Sequence, residues 1–303
     1  MNLNRQVQYL SLWFWRRSSI FILLLVTIFI FRWWWIITPS SIPTGVPWKV
    51  WDPVPSNLLL PWALQSCVTN LSDIGFVLMV SSANSYLHTA QRSTFLLNAP
   101  YKWTFSDSAS EHTITLPEIE GKTSYADAQH RQLRGMQWLL RQGLSSSLRW
   151  YILIDDDTWV HSPVLLRLLS SLESRFDPTR EKIILGNRWH SGVFNGGAGL
   201  VLSSAGFSAI AESLYTPLCP FDKANDDTIS FCVRNLGGFH SIHSSLFSWY
   251  PKEPIISYRD FMEMATMHSI KDPALMLALQ KESNGFCKTN WPYAIETNCG
   301  GCV

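Results

Sequence analysis

From about residue 73 onward, short apolar runs alternate with amphipathic stretches, and this alternation constrains the fold more than any other feature of the chain. Ile74-Gly-Phe-Val-Leu-Met-Val80 carries no polar side chain, the pattern of a strand buried on both faces. Tyr101–Phe105, Arg149–Ile154 and Lys182–Leu185 read as three further strands. Between Ser124 and Gly143, Leu133, Met136 and Leu140 recur at helical spacing, with Ser124 placed to cap the helix. Pro163 suits the first turn of a helix carrying Leu165, Leu168, Leu169 and Leu172. This order predicts an α/β domain around a mainly parallel sheet. Ligands of such sheets gather outside the carboxyl ends of the strands. There is no internal repeat, and the stretch beyond about Pro273 shows no pattern that predicts an element.

The content of 47% hydrophobic residues against 16% charged is ample for a buried core and excludes a largely disordered chain. A formal net charge of +1 without charge blocks argues against a general grip on nucleic acid, so no nucleic-acid partner is expected. The six cysteines stand at 67, 219, 232, 287, 299 and 302. An even count fits disulfides in an oxidising compartment. Cys287, Cys299 and Cys302 also allow a zinc reading, because Cys299-Gly-Gly-Cys302 has ligand-like spacing. No second pair of that kind and no histidine beyond Cys287 supports it, which favours disulfides.

Residues 18–37 (SSIFILLLVTIFIFRWWWII) decide the expected compartment. A spanning helix needs ~20 residues, which this stretch supplies with Arg32 near an interface, its stem snorkelling beside Trp33-Trp34-Trp35. Arg5, Arg16 and Arg17 precede the run and hold the short N-terminus in the cytosol. No small-x-small cleavage site follows, so a type II signal anchor is expected rather than a removed leader. The organisation is then a cytosolic tail over 1–17, an anchor over 18–37, a proline-rich stem over 38–72 and a lumenal domain over 73–303. Pro39, Pro43, Pro47, Pro53, Pro55 and Pro61 make the stem a poor helix or central strand. Asn70-Leu71-Ser72 is a glycosylation sequon that agrees with a lumenal, Golgi or endoplasmic-reticulum, location.

The strand ending at Ile154 runs directly into Asp155-Asp156-Asp157-Thr158-Trp159-Val160. Adjacent carboxylates repel one another, and a cation relieves that cost. Mn²⁺ or Mg²⁺ takes oxygen ligands and bridges carboxylates to a diphosphate, where it acts as a Lewis acid. Alternation along extended chain would turn Asp155 and Asp157 to one side. A solvated acidic turn is the plain alternative. An aspartate-nucleophile phosphatase is another, but its Asp-x-Asp-x-Thr pattern is out of register here, with Trp159 where its threonine belongs.

Taken in order, these residues resemble the Fringe-like β1,3-glycosyltransferase family, the family-31 type. The likeness runs from about Ile74 to His268. It comprises Val80-Ser81-Ser82, His88 and Arg92, Trp103-Thr-Phe-Ser-Asp107, the triplet, Asn195-Gly196-Gly197-Ala198-Gly199-Leu200, and Asn225-Asp226-Asp227-Thr228-Ile229. The resemblance implies a GT-A fold, a Rossmann-like nucleotide-sugar-binding architecture with a mainly parallel sheet. It implies an inverting, metal-dependent enzyme that moves a hexose or N-acetylhexosamine from a UDP-sugar to a hydroxyl of a glycan or glycoprotein in β1,3 linkage. Ser81, Ser82, Arg92, Asp107, Asp155, Asp156, Gly196 and Gly197 would then hold the nucleotide sugar, with Asp157 as the direct metal ligand.

Asp226-Asp227 matches the family's catalytic-base motif near a helix N-terminus, where one aspartate serves as cap and the other, Asp227, as base. Cys219 and Cys232 flank this loop as in core-1 galactosyltransferase relatives, implying a bridge. Among His240, His243 and His268, the segment Thr266-Met267-His268-Ser269 resembles the family's late metal-ligand strand and favours His268. Ser248-Trp249-Tyr250 departs from the family pattern after Phe247. That departure keeps a catalytically silent, membrane-tethered sugar-binding protein as the alternative.

Overall fold

In a computed structural model the structure describes residues 69–144, 148–222, 224–249 and 264–290. Residues 18–37 and most of the expected stem lie outside the described residues, as do Cys67, Cys299, Cys302 and the side chain of Cys287. Among the described residues no helix is long and apolar enough to cross a membrane.

Six strands form the main sheet: β1 (Ile74–Val80), β2 (Tyr101–Ser106), β3 (Trp150–Asp155), β5 (Lys182–Gly186), β6 (Leu200–Ser203) and β7 (Phe239–His243). Their order is β2-β1-β3-β6-β5-β7, and β6 alone runs against the others. The sheet is therefore mixed but mainly parallel. A second, three-stranded sheet has the order β4-β9-β8, from β4 (Trp159–Val160), β8 (Phe247–Ser248) and β9 (Thr266–Met267).

Strand alternation divides the core into two layers. Ile74, Phe76, Leu78, Trp150, Ile152 and Ile154 face one side. There they pack with Leu87 of helix α1 (Ser85–Arg92), Leu165 and Leu169 of α3 (Ser162–Glu173), and Met276 of α6 (Pro273–Asn290). Val77, Tyr151, Leu153, Leu200 and Leu202 face the other side. Their partners are Leu133, Met136 and Leu139 of α2 (Tyr125–Arg141), Phe207 and Ile210 of α4 (Ser204–Ser213), and Ile229 and Val233 of α5 (Asn225–Leu236). Both faces of the central strands are covered, as their unbroken apolar runs require.

The helix starts follow local chemistry. The Ser124 hydroxyl accepts from the Asp127 N–H at 3.1 Å, and Pro163 sits in the first turn of α3. Leu139 rather than Leu140 completes the buried stripe of α2, with Leu140 at its margin. Helix α6, absent from the sequence expectation, is announced by Asp272-Pro273. The Asp272 side chain accepts from the Ala274 N–H at 2.9 Å, and Met276 and Leu279 reach the core. Thr69–Ser72, expected in the stem, pack on the domain: Leu71 is buried and the Thr69 N–H donates to the Ser170 hydroxyl at 3.0 Å. Asn70 and Asp73 form a reciprocal capping box around the sequon.

Candidate active site

The parallel strands β1, β2 and β3 end together, at Val80, Ser106 and Asp155. Because β6 is antiparallel, its amino end lands on the same edge, with Leu200 opposite Leu153 and Gly186. The segment Asn195–Gly199 is thereby brought beside the acidic triplet. The small sheet adds a third approach, since Trp159 pairs with Met267, which places His268 next to the residues preceding β4. A cavity of about 900 Å³ opens on this edge, and Ser81, Asp155, Asp156, Asp157, Gly197, Asp226, Asp227 and His268 all line it.

Asp155, Asp157 and His268 converge, with one potential ligand atom from each within 4.8 Å of the others. Nε2 of His268 stands 3.1 Å from Asp157 Oδ1 and 3.9 Å from Asp155 Oδ2. Its Nδ1 lies 3.2 Å from the Trp249 carbonyl, which only accepts, so Nδ1 carries a proton and Nε2 faces the carboxylates. Burial lifts the Asp155 carboxyl well above the usual carboxylate range, and Asp157, Asp156 and Asp226 add to the lift against the opposing pull of His268. Burial works against charge on His268, but the hydrogen bond and charge of Asp157, with Asp155, outweigh it and raise the imidazole. Asp155 Oδ1 is buried with no hydrogen-bond partner. A buried, unpartnered oxygen among three mutually repelling acids is the environment a cation satisfies. Two carboxylates with one imidazole fit a divalent ion of the Mn²⁺ or Mg²⁺ kind.

The turn holding these acids is tied down from three sides. Gln91 of α1 donates to the carbonyls of Asp155 and Thr158, both at 2.8 Å. Thr158 donates to the Gly197 carbonyl at 2.8 Å, and the Ile270 N–H donates to the Asp157 carbonyl at 2.9 Å. Thr158 is thus turned into the fold and buried. Gly197 is required sterically, because a Cβ there would stand 2.5 Å from the His268 ring. Gly199, at φ +90, adopts a backbone conformation that favours glycine.

The opposite motif is equally anchored. Ala224 occupies the cap position of α5, so Asp226 does not cap the helix as expected. Its carboxylate accepts instead from the Gly196 N–H at 3.1 Å and the Asp227 N–H at 2.8 Å, binding the glycine segment to the helix. Asn225 continues the link by donating to Gln132 at 2.8 Å, and Gln132 donates to the β1 and β3 carbonyls of Val77 and Ile154. A disulfide joins Cys219 to Cys232, so the loop before α5 is fastened to the helix that presents Asp227.

The remaining expected residues lie behind the cavity wall. Asp107 is buried and pairs with the buried Arg131 at 3.2 Å. The Ser82 N–H and hydroxyl both donate to Asp107, at 2.9 and 2.7 Å. Burial opposes the Asp107 charge, but the Ser82 hydrogen bonds and Arg131 outweigh it and hold the carboxyl below its usual range. Asp156 accepts from the Ser81 N–H at 3.2 Å, which joins this network to the triplet. Ser82, Asp107, Arg92 and Gly196 do not line the cavity. Arg92 fails to reach it because successive helical residues point about 100° apart, and Gln91 takes the inward direction. Of the other histidines, His240 pairs with Glu181 at 3.4 Å and His243 accepts from the Arg188 N–H at 3.0 Å. Several lining residues carried no sequence signal for this role, among them Asn84, Tyr125, Arg131, Trp189, Trp249 and Lys271.

A mainly parallel sheet whose carboxyl edge carries an acidic cluster, a glycine segment and an imidazole defines an α/β protein with a candidate metal and ligand site at the strand ends. The Fringe-like family model matches residues 87–269, and the chain belongs to that family of glycosyltransferases. The match takes in the triplet, the glycine segment, Asp226-Asp227 and His268. No curated protein matches the chain. Among solved structures, it is similar at 12% identity to a glycosyltransferase involved in the glycosylation of the major capsid of PBCV-1, covering 69% of this chain and 99% of that one with a TM-score of 0.41.

Proposed function

We propose that the protein is an inverting glycosyltransferase of GT-A type that transfers a hexose or N-acetylhexosamine from a UDP-sugar to a hydroxyl of a glycan or glycoprotein, in β1,3 linkage. The observation that carries this reading is one cavity lined both by the converged Asp155, Asp157 and His268 and by Asp227. Asp157 and His268, with Asp155, would hold a divalent ion, Mn²⁺ or Mg²⁺. Bound there, the ion supplies Lewis-acid stabilisation of the departing diphosphate.

The chain's own residues do the rest. The Ser81, Asp156 and Asp107 network presents the ends of β1 and β2 to the uridine portion. Gly197 leaves room for His268 and for close approach of a ligand to the backbone. Asp227 takes the proton of the acceptor hydroxyl as its oxygen bonds to the anomeric carbon from the face opposite the diphosphate, and the sugar–phosphate bond breaks with its electrons leaving on the diphosphate. A tethered position in the Golgi or endoplasmic-reticulum membrane, through an anchor over 18–37 and a stem to about residue 68, accords with the disulfide beside the site.

The test is calorimetric titration of UDP and UDP-sugars with and without Mn²⁺, followed by transfer assays. Metal-dependent binding that disappears in Asp157→Ala is expected. Binding indifferent to both metal and Asp157 would overturn the assignment.

A further inference from the structure

Two tryptophans expose large rings at the cavity mouth, Trp189 at 49% and Trp249 at 37%. They meet edge to face, with ring centroids 4.9 Å apart and planes at 69°. Both are held by backbone rather than by chance surface packing. Trp189 sits in a hairpin closed by its own N–H donating to the Val193 carbonyl at 2.8 Å and by the Gly192 N–H donating back to the Trp189 carbonyl at 2.9 Å. The Arg188 side chain donates to the Gly192 carbonyl at 3.0 Å across the same turn. Asn187 fastens this hairpin to β8, donating to the Phe247 carbonyl at 2.8 Å, and Trp249 follows β8 directly.

The pair also has a definite place along the site. Contacts run from Trp189 to Trp249, from Trp249 to the His268 ring at 6.0 Å, from His268 to Asp157, and from Asp156 to Ser81 at the end of β1. The tryptophans thus adjoin the cluster through His268, whereas the end of β1 adjoins it through Asp156. Rigid, solvent-facing indoles lining a cavity with a few convergent polar groups mark a surface for a ligand with one apolar face. A pyranose ring has such a face, whose C–H hydrogens meet the negative face of an aromatic ring. Its hydroxyls remain free to point inward.

Resting on the transferase reading above, we propose that Trp189 and Trp249 form the acceptor subsite and that the acceptor is a saccharide, its ring stacked on the face of one indole and flanked by the other, with its hydroxyl directed toward Asp227. The full-length chain in detergent, loaded with UDP and diamagnetic Mg²⁺, is presented with methyl pyranosides of the common hexoses and N-acetylhexosamines, and saturation-transfer NMR is recorded. The wild type should saturate ring C–H protons of at least one glycoside. Trp189→Ala should reduce that signal at least fivefold, Trp189→Phe should retain half or more of it, and UDP affinity should stay within twofold throughout.

The proposal is overturned if Trp189→Ala leaves the signal unchanged, if it abolishes UDP binding as well, or if no pyranoside is saturated while UDP binds. It is also overturned if an unglycosylated serine peptide displaces the pyranoside as effectively as the pyranoside itself. A wild type that saturates a pyranoside but binds no UDP supports the subsite and rejects the donor reading instead.

Discussion

The two sides of the cavity are built by different means. On the side of β1 and β3, the polar groups are buried and paired among themselves: Ser82 with Asp107, Asp107 with Arg131, Gln91 with the triplet backbone, Gln132 with Asn225. The strands there are six or seven residues long, and β1 and β3 are covered on both faces. On the side of β8 and β9 the strands are two residues long, and aromatic rings stand exposed at the rim. Preorganised polar networks favour one fixed ligand geometry, while exposed aromatic surfaces tolerate variation in what they stack. On the proposed reading the nucleotide belongs to the rigid wall, the cation to the seam where His268 follows β9, and the variable part, the acceptor, to the open wall.

The sharpest way to break this division is at Asp227, the proposed base, which lines the same cavity as the acidic cluster. Asp227→Asn should lower transfer by ~10²–10⁴-fold, the usual contribution of a general base. Affinity for UDP and Mn²⁺ should change little. Transfer within threefold of wild type would remove Asp227 from the role. Next comes the buried pair behind the rigid wall. Removing one partner of a buried ion pair costs ~3–5 kcal/mol, so Asp107→Ala should destabilise the fold by that order in urea unfolding. A cost below about 1 kcal/mol, the range of a surface pair, would mean the wall is not held as described.

That contrast also explains what the sequence made legible. Ile74–Val80, Trp150–Ile154 and the stripe of α2 were readable because each is a local, period-driven pattern. The convergence of Asp155, Asp157 and His268 was accessible through the family's order of motifs. The distinction between Asp107 as a buried partner of Arg131 and Asp107 as a ligand contact was not, because both need an acid at a strand end. Asp226 is a similar case. A carboxylate in the first turn of a helix looks like a cap, and only the antiparallel β6 brings the Gly196 N–H within its reach. The tryptophans were the least legible, since Trp189 and Trp249 are 60 residues apart and are brought together by non-local links such as Asn187 to Phe247 and Arg188 to His243.

A smaller effect separates the sides sterically. Gly197→Ala would drive a Cβ into the His268 ring, and the ring must move away from Asp157. Displacing one ligand's support lowers metal affinity by ~10–100-fold in comparable sites, and a Mn²⁺ titration should show a loss of that order. UDP contacts on the β1 side should persist at high Mn²⁺. Unchanged Mn²⁺ affinity would show that His268 is not among the ligands.

The smallest effect concerns acid. His88 of α1 is buried against Thr104 of β2, its Nε2 3.0 Å from the hydroxyl, and burial with the nearby Arg92 charge pushes its pKa down to about 4. Its ordinary value is 6.5, so between those two pH values the unfolded chain binds a proton that the folded chain refuses. The contribution of His88 to stability therefore falls as pH drops below 6.5, and that loss stops growing below about 4, while the raised Asp155 and His268 contribute in the opposite sense as pH falls. By pH 5.5 the His88 loss should amount to about 1 kcal/mol. Asp107, whose folded pKa is depressed, adds its own loss only at lower pH, as the native carboxyl is finally protonated. His88→Gln keeps a hydrogen-bonding amide toward Thr104 and has no proton to gain, so the slope of unfolding free energy between pH 6.5 and 5.5 should flatten while the steeper fall below pH 4 remains. If His88→Gln leaves the slope intact, the acid sensitivity of the rigid wall resides elsewhere. If it removes the low-pH fall too, the two groups on that wall titrate as one unit.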